Sequence, residues 1–134
     1  MPAHHHRIRV YFEDTDFTGR VYHGAFVHFL ERGRTEFLRA GGVDHQVLAG
    51  REPALFFTLR RLDMQFSGPA FIDDMLEVVS WPGDSGRALF RIEQSVLRDG
   101  GVLVRATVEL CLIDGRGRPA RPPKDLVAIF SKGD

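Results

Sequence analysis

Residues 23–40, HGAFVHFLERGRTEFLRA, decide the fold. Phe26, Phe29, Leu30, Gly33, Phe37 and Leu38 recur at helical spacing, while Glu31, Arg32, Arg34, Thr35, Glu36 and Arg39 fill the other side. Gly41-Gly42 supplies a stop, so the spacing predicts a helix from about His23 to Ala40. A second, shorter helical turn is expected around Asp44 to Ala49. Upstream, Arg7 to Glu13 sets Ile8, Val10 and Phe12 against Arg7, Arg9 and Glu13, the alternation of a half-buried strand. Asp14-Thr15-Asp16-Phe17-Thr18-Gly19 between them is turn-forming.

Downstream the period changes to two. Strands are expected at Leu55 to Phe66, Met75 to Trp81, Arg87 to Leu97, Val102 to Ile113 and roughly Asp125 to Phe130. The clearest places Val102, Val104, Ala106, Val108, Leu110 and Leu112 on one face. The glycine turns Arg98-Asp99-Gly100-Gly101 and Asp114-Gly115-Arg116-Gly117 point to antiparallel hairpins. One very apolar helix followed by four or five long strands predicts an α+β fold in which a curved antiparallel sheet wraps the helix. Such a sheet has edges to protect, so a dimer that continues the sheet is expected.

The chain has 134 residues, enough for one domain, spanning 1–134, and too few for two of ordinary size. It is 43% hydrophobic with 11 Phe, which supplies a core and excludes disorder as the main state. Lys plus Arg and Asp plus Glu are both 18, so no global charge draws it to nucleic acid or anionic lipid, and any anion site must be local. The single Cys111, among apolar neighbours, suggests a buried thiol in a reducing compartment. Apolar runs such as Ala54-Leu55-Phe56-Phe57 are too short for a membrane span and the start is charged, so the expected location is the cytoplasm.

Glu13, Asp14 and Asp16 place three carboxylates just before the helix. Taken alone they read first as a solvated acidic turn with an Asx bond to the backbone. The helix start at Tyr22-His23-Gly24 carries no Ser, Thr, Asp or Asn, so its first N–H groups are left for an anion, a developing oxyanion, water or the His23 ring. A carboxylate and a donor pair are two of the parts that carbonyl chemistry needs. No Ser-His-Asp or Cys-His set is apparent: Cys111 lies mid-strand, and Ser67, Ser80, Ser85, Ser95 and Ser131 lack nearby motifs. The His23 side chain reads equally as a substrate contact or a helix cap. Glu31 and Arg34, three residues apart, read first as a structural salt bridge. His4-His5-His6 reads as a solvated tail, not a metal site, and Asp73-Asp74 as a turn cap before a strand. Arg60, Arg61, Arg118, Arg121 and Lys124 have the chemistry to meet phosphates, although each alone reads first as a surface charge.

Val10-Tyr11-Phe12-Glu13-Asp14-Thr15-Asp16, then Gly19-Arg20-Val21-Tyr22-His23, then Phe29-Leu30-Glu31-Arg32-Gly33-Arg34-Thr35-Glu36 resembles the signature of the 4-hydroxybenzoyl-CoA thioesterase family of hot-dog proteins. Within that family it looks most like the acyl-CoA thioesterases associated with the bacterial Tol-Pal system. The resemblance continues through Ala70 to Val78 and Arg121-Pro122-Pro123-Lys124, covering most of the chain. It implies a hot-dog fold, homodimers or homotetramers, and metal-free, cofactor-free hydrolysis of an acyl-CoA thioester. It also implies that Asp16 serves as nucleophile or general base and that the backbone N–H at His23 polarises the thioester carbonyl. Phe17-Thr18, where the family commonly has small residues, and Phe26, where it commonly has Tyr, depart from the pattern. Tyr22, Phe17 and Phe26 are then expected to shape the acyl pocket, and Arg60, Arg61 and Lys124 to meet CoA. The bulk of Phe17 and Phe26 favours short or compact acyl groups. The competing expectations are a hot-dog hydratase or dehydratase using His23 with Asp16, whose proline-rich His motif is absent here, and a non-catalytic acyl-CoA-binding subunit.

Overall fold

A computed structural model describes residues 1–131. Its elements are β1 (His4–Arg9), a 3-10 turn (Phe12–Asp14), α1 (His23–Ala40), α2 (His45–Ala49), β2 (Phe56–Phe66), β3 (Met75–Pro82), β4 (Phe90–Arg98), β5 (Gly101–Ile113) and α3 (Lys124–Ser131). The strands form one antiparallel sheet in the order β1-β3-β4-β5-β2. That leaves β1 and β2 as its edges.

The central helix has the limits its periodicity predicts. Ala25, Phe26, Phe29, Leu30, Gly33, Phe37 and Leu38 face inward, and each large apolar side chain so buried contributes roughly 1.5 to 3 kcal/mol. Gly33 is required by close approach, because a Cβ there would overlap Val78 Cγ1 on β3. The core divides along α1. Phe26, Phe29 and Leu30 pack with Ile8, Val10, Leu76, Val78 and Val104, whereas Phe37 and Leu38 pack with α2, α3 and the far halves of β4 and β5. The β5 alternation holds, with Val104, Ala106, Val108, Leu110 and Leu112 buried, and the β4–β5 hairpin turns at Asp99-Gly100, both at positive φ.

Several expectations are corrected. Asp125 to Phe130 is helical, not a strand, because Leu126 and Phe130, four residues apart, both reach the core and Pro123 O accepts the Leu126 and Val127 N–H groups. For the same reason the Asp114–Gly117 turn leads only to an isolated bridge, Ile113 with Pro119, and not to a further strand. The first strand ends at Arg9: Asp14 Oδ2 accepts the Tyr11 N–H and draws the chain into a 3-10 turn, leaving Phe12 exposed. His4, His5 and His6 are no free tail, since they pair with Ser80, Val79 and Val78, and β4 begins at Phe90 rather than Arg87. Cys111 is only half-buried.

Candidate active site

The loop that joins β1 to α1 is built to present one carboxylate. Thr15 bridges Val21, Asp16 N–H donates to Arg20 O at 2.8 Å, and Gly19 N–H returns to Asp16 O at 3.0 Å, with Gly19 at a φ of 80° that favours glycine. Inside this tight loop Asp16 Oδ1 accepts the Thr18 hydroxyl at 2.6 Å and the Thr18 N–H at 2.8 Å. The hydroxyl and then the backbone N–H of Thr18 hold the Asp16 carboxyl below its ordinary pKa, with a smaller contribution from Arg20. The Asx bond expected of an acidic turn is therefore present, and both Thr18 bonds fall on the same oxygen, Oδ1. Asp14 is occupied differently, since its carboxylate accepts the Tyr11 N–H and its carbonyl accepts the Tyr22 N–H at 3.2 Å.

That last bond draws the loop against the start of α1. The N-cap residue Tyr22 provides no side-chain cap, the first turn contains no acid, and the Ala25 N–H turns back to Tyr22 O. The N–H groups of His23 and Gly24 thus stand at the positive end of an 18-residue helix with no side-chain cap bonded to them, although the Tyr22 ring packs against Gly24. The His23 ring is exposed and lies edge-on to Tyr22 at 6.1 Å, so it does not cap the helix. In general, an ionised carboxylate can attack a carbonyl or take a proton from water, and uncapped helix N–H groups can donate to a carbonyl oxygen.

The other expected residues scatter. Phe17 is fully exposed at the loop tip and Tyr22 is 39% exposed. Phe26 is buried, its ring edge-on to Phe29 and Phe66. Arg60 falls where the β2–β5 register slips, Arg61 stands 3.8 Å from Asp63, and Lys124 opens α3 beside the opposite half of the core. Tyr22 and His23 thus share the start of α1, Asp16 lies in the loop before it, and the cations lie elsewhere in the chain. Glu31 and Arg34 form no ion pair among the described residues, because Arg34 is turned inward to donate to Gln94 Oε1 at 3.1 Å. The Asp73-Asp74 turn cap is present, with Asp74 Oδ2 accepting the Phe71 N–H at 2.9 Å. Sequence reading missed what Thr18 and Arg98 do; for Thr18 the signal was its place two residues after Asp16, the spacing of an Asx turn.

A five-stranded antiparallel sheet around one long helix with an uncapped start, preceded by a loop that holds an ionised carboxylate, defines a hot-dog protein. The chain belongs to the thioesterase-like superfamily, whose family model matches residues 10–130. It is 37% identical over 124 residues to the acyl-CoA thioesterase YbgC of Haemophilus influenzae, covering 92% of this chain and 90% of that protein. It is 36% identical over 132 residues to the acyl-CoA thioester hydrolase YbgC of Escherichia coli, covering 93% of each. Among solved structures, a probable thioesterase from Bartonella henselae superposes with a TM-score of 0.87 at 43% identity, over 91% of this chain and all (100%) of the other.

Proposed function

We propose that this protein hydrolyses the thioester of a short or compact acyl-CoA, releasing the free acid and CoA. The observation that carries this reading is an Asp16 carboxyl held below its ordinary pKa in the loop that leads into the uncapped start of α1. The similarity to acyl-CoA thioesterases over nine-tenths of the chain supports the substrate class. The thioester carbonyl oxygen accepts the His23 N–H, and Asp16, as nucleophile or as base for water, delivers oxygen to the carbonyl carbon. Collapse breaks the C–S bond, and the thiolate of CoA leaves and takes up a proton; on the nucleophile route this leaves an acyl-Asp16 anhydride, which water then hydrolyses to the free acid, restoring the carboxylate. Tyr22 and Phe17 border the acyl group at the loop, and Phe26 backs the wall from the core. A panel of CoA thioesters read by free-thiol release tests this: compact acyl groups are expected to exceed palmitoyl-CoA in kcat/KM by about tenfold, the scale of one or two methylenes in an apolar pocket. Hydrolysis of none of them would remove the assignment, and a preference for palmitoyl-CoA would remove the pocket reading.

The site is completed by a second copy. β2 is a free sheet edge of 11 residues that exposes Phe56, Leu59 and Phe66, and pairing it with its twin satisfies both the edge and the apolar surface. Such a homodimer, alone or doubled into a homotetramer, brings one protomer's Arg60 and Arg61 toward its partner's loop, where they and Lys124 serve the CoA phosphates. Light scattering at micromolar concentration is expected to give two or four chains, whereas a fully active monomer would overturn this arrangement. A reducing cytoplasm suits the single thiol, Cys111, and no helix among the described residues is long and apolar enough to cross a membrane.

A further inference from the structure

We infer that Arg98 and Asp74 are positioning residues for the catalytic loop, acting through Phe71 and Arg20; this rests on the reading of Asp16 as the reacting group. Neither belongs to the loop. Arg98 closes β4, and its Nη1 donates to Asp74 Oδ2 at 2.8 Å and to Pro69 O at 3.1 Å. Asp74 Oδ2 also accepts the Phe71 N–H, so one ion pair holds the 69–74 turn closed.

Both ends of the catalytic loop are fastened to that turn. Before the loop, Val10 N–H donates to Asp74 O at 2.9 Å and Val10 O accepts the Asp73 N–H at 3.0 Å, while Arg9 Nη1 donates to Asp73 O at 2.7 Å. Asp73 holds a φ of 70°, a left-handed conformation that a non-glycine residue keeps only where its surroundings enforce it. After the loop, Val21 N–H donates to Ala70 O at 2.8 Å and the Arg20 backbone bridges Phe71. The Phe71 ring then receives two guanidinium groups, Arg20 at 5.5 Å and Arg98 at 5.8 Å from its centroid. Because Asp16 N–H donates to Arg20 O, a shift of Arg20 reaches the carboxylate through one peptide hydrogen bond. Misplacement of a reacting group by about 1 Å costs up to about 100-fold in rate, so a brace of this kind acts on kcat.

Arg98→Met is therefore expected to lower kcat about tenfold and to change KM by less than about twofold. Arg98→Lys should recover part of the loss, since an ammonium reaches Asp74 but lacks the planar guanidinium that lies over Phe71. Phe71→Leu removes the aromatic contact without touching the ion pair and should lose about threefold in kcat. Arg51→Met is the control: it breaks the Arg51–Asp125 pair at 2.5 Å, remote from the loop, and should keep wild-type kcat. Hydrogen exchange without substrate gives a readout independent of turnover, with faster exchange of the Asp16 and Val21 amides expected in Arg98→Met. Wild-type kcat with unchanged loop exchange in Arg98→Met and Phe71→Leu would overturn the inference even if Asp16→Asn is inactive. An equal kcat loss in Arg51→Met would reduce it to a stability effect. An active Asp16→Asn enzyme would instead overturn the underlying reading, whatever the exchange result.

Discussion

Asp16→Asn is expected to lower kcat by about 100-fold or more on the best thioester while KM stays within about twofold. The amide keeps the shape of the carboxylate and its Oδ1 still accepts the Thr18 hydroxyl and N–H, so the loop persists. What is lost is the negative charge of the carboxylate, and with it both attack and proton removal. Asp14→Asn should cost far less, since that side chain is engaged with the Tyr11 N–H and serves the loop's shape. The pH profile follows with a definite sign. Thr18 and Arg20 hold Asp16 ionised to lower pH than an ordinary aspartate, so kcat should remain flat as pH falls through the usual carboxylate range and decline only below it. Thr18→Val removes the largest contribution and should move the acid limb upward. Single-turnover hydrolysis in labelled water separates the two roles: label in the Asp16 carboxylate marks an acyl-enzyme anhydride, and its absence marks a general base. A folded Asp16→Asn enzyme with near wild-type kcat would remove Asp16 from the mechanism.

Gln94→Leu should have the largest effect on stability, about 3 kcal/mol, because it strands several buried polar groups worth about 1 to 3 kcal/mol each. Gln94 lies on β4 under α1, 1% exposed. Its Nε2 donates to Leu30 O and to Ser80 Oγ, each at 2.9 Å, and its Oε1 accepts from Arg34. Arg34 is 8% exposed, and burial pushes its pKa down while Glu31 offsets this in part. Removing the amide leaves that charge with no hydrogen-bond acceptor among the described residues and a helix carbonyl with no donor at its solvent-free side. For a domain of this size the loss corresponds to roughly 10 °C in Tm, read at fixed protein concentration. Gln94→Glu restores an acceptor for Arg34 but not the donor to Leu30 O, so it should fall between. A Gln94→Leu protein within about 1 kcal/mol of the wild type would show that water replaces the amide.

Local pattern alone determined much of this protein. The limits of α1 follow from the 3.6-residue spacing of its phenylalanines and leucines, and β2, β3 and β5 follow from alternation bounded by glycine and proline. The acid-rich turn and the uncapped helix start were equally legible, because capping and turn formation involve residues within about four positions of one another. The run from Asp125 to Phe130 was not, since so short an apolar stretch suits either period until Pro123 and the core choose one. Nor was the burial of Arg34, assigned by spacing to the polar side of α1, because its partner Gln94 lies 60 residues away. The partition of β1 and β2 to opposite edges, and the fastening of both ends of the Asp16 loop to the 69–74 turn, likewise depend on pairings across the sheet. Periodicity records which face of an element is apolar; which element meets that face is decided only when the sheet closes over the helix.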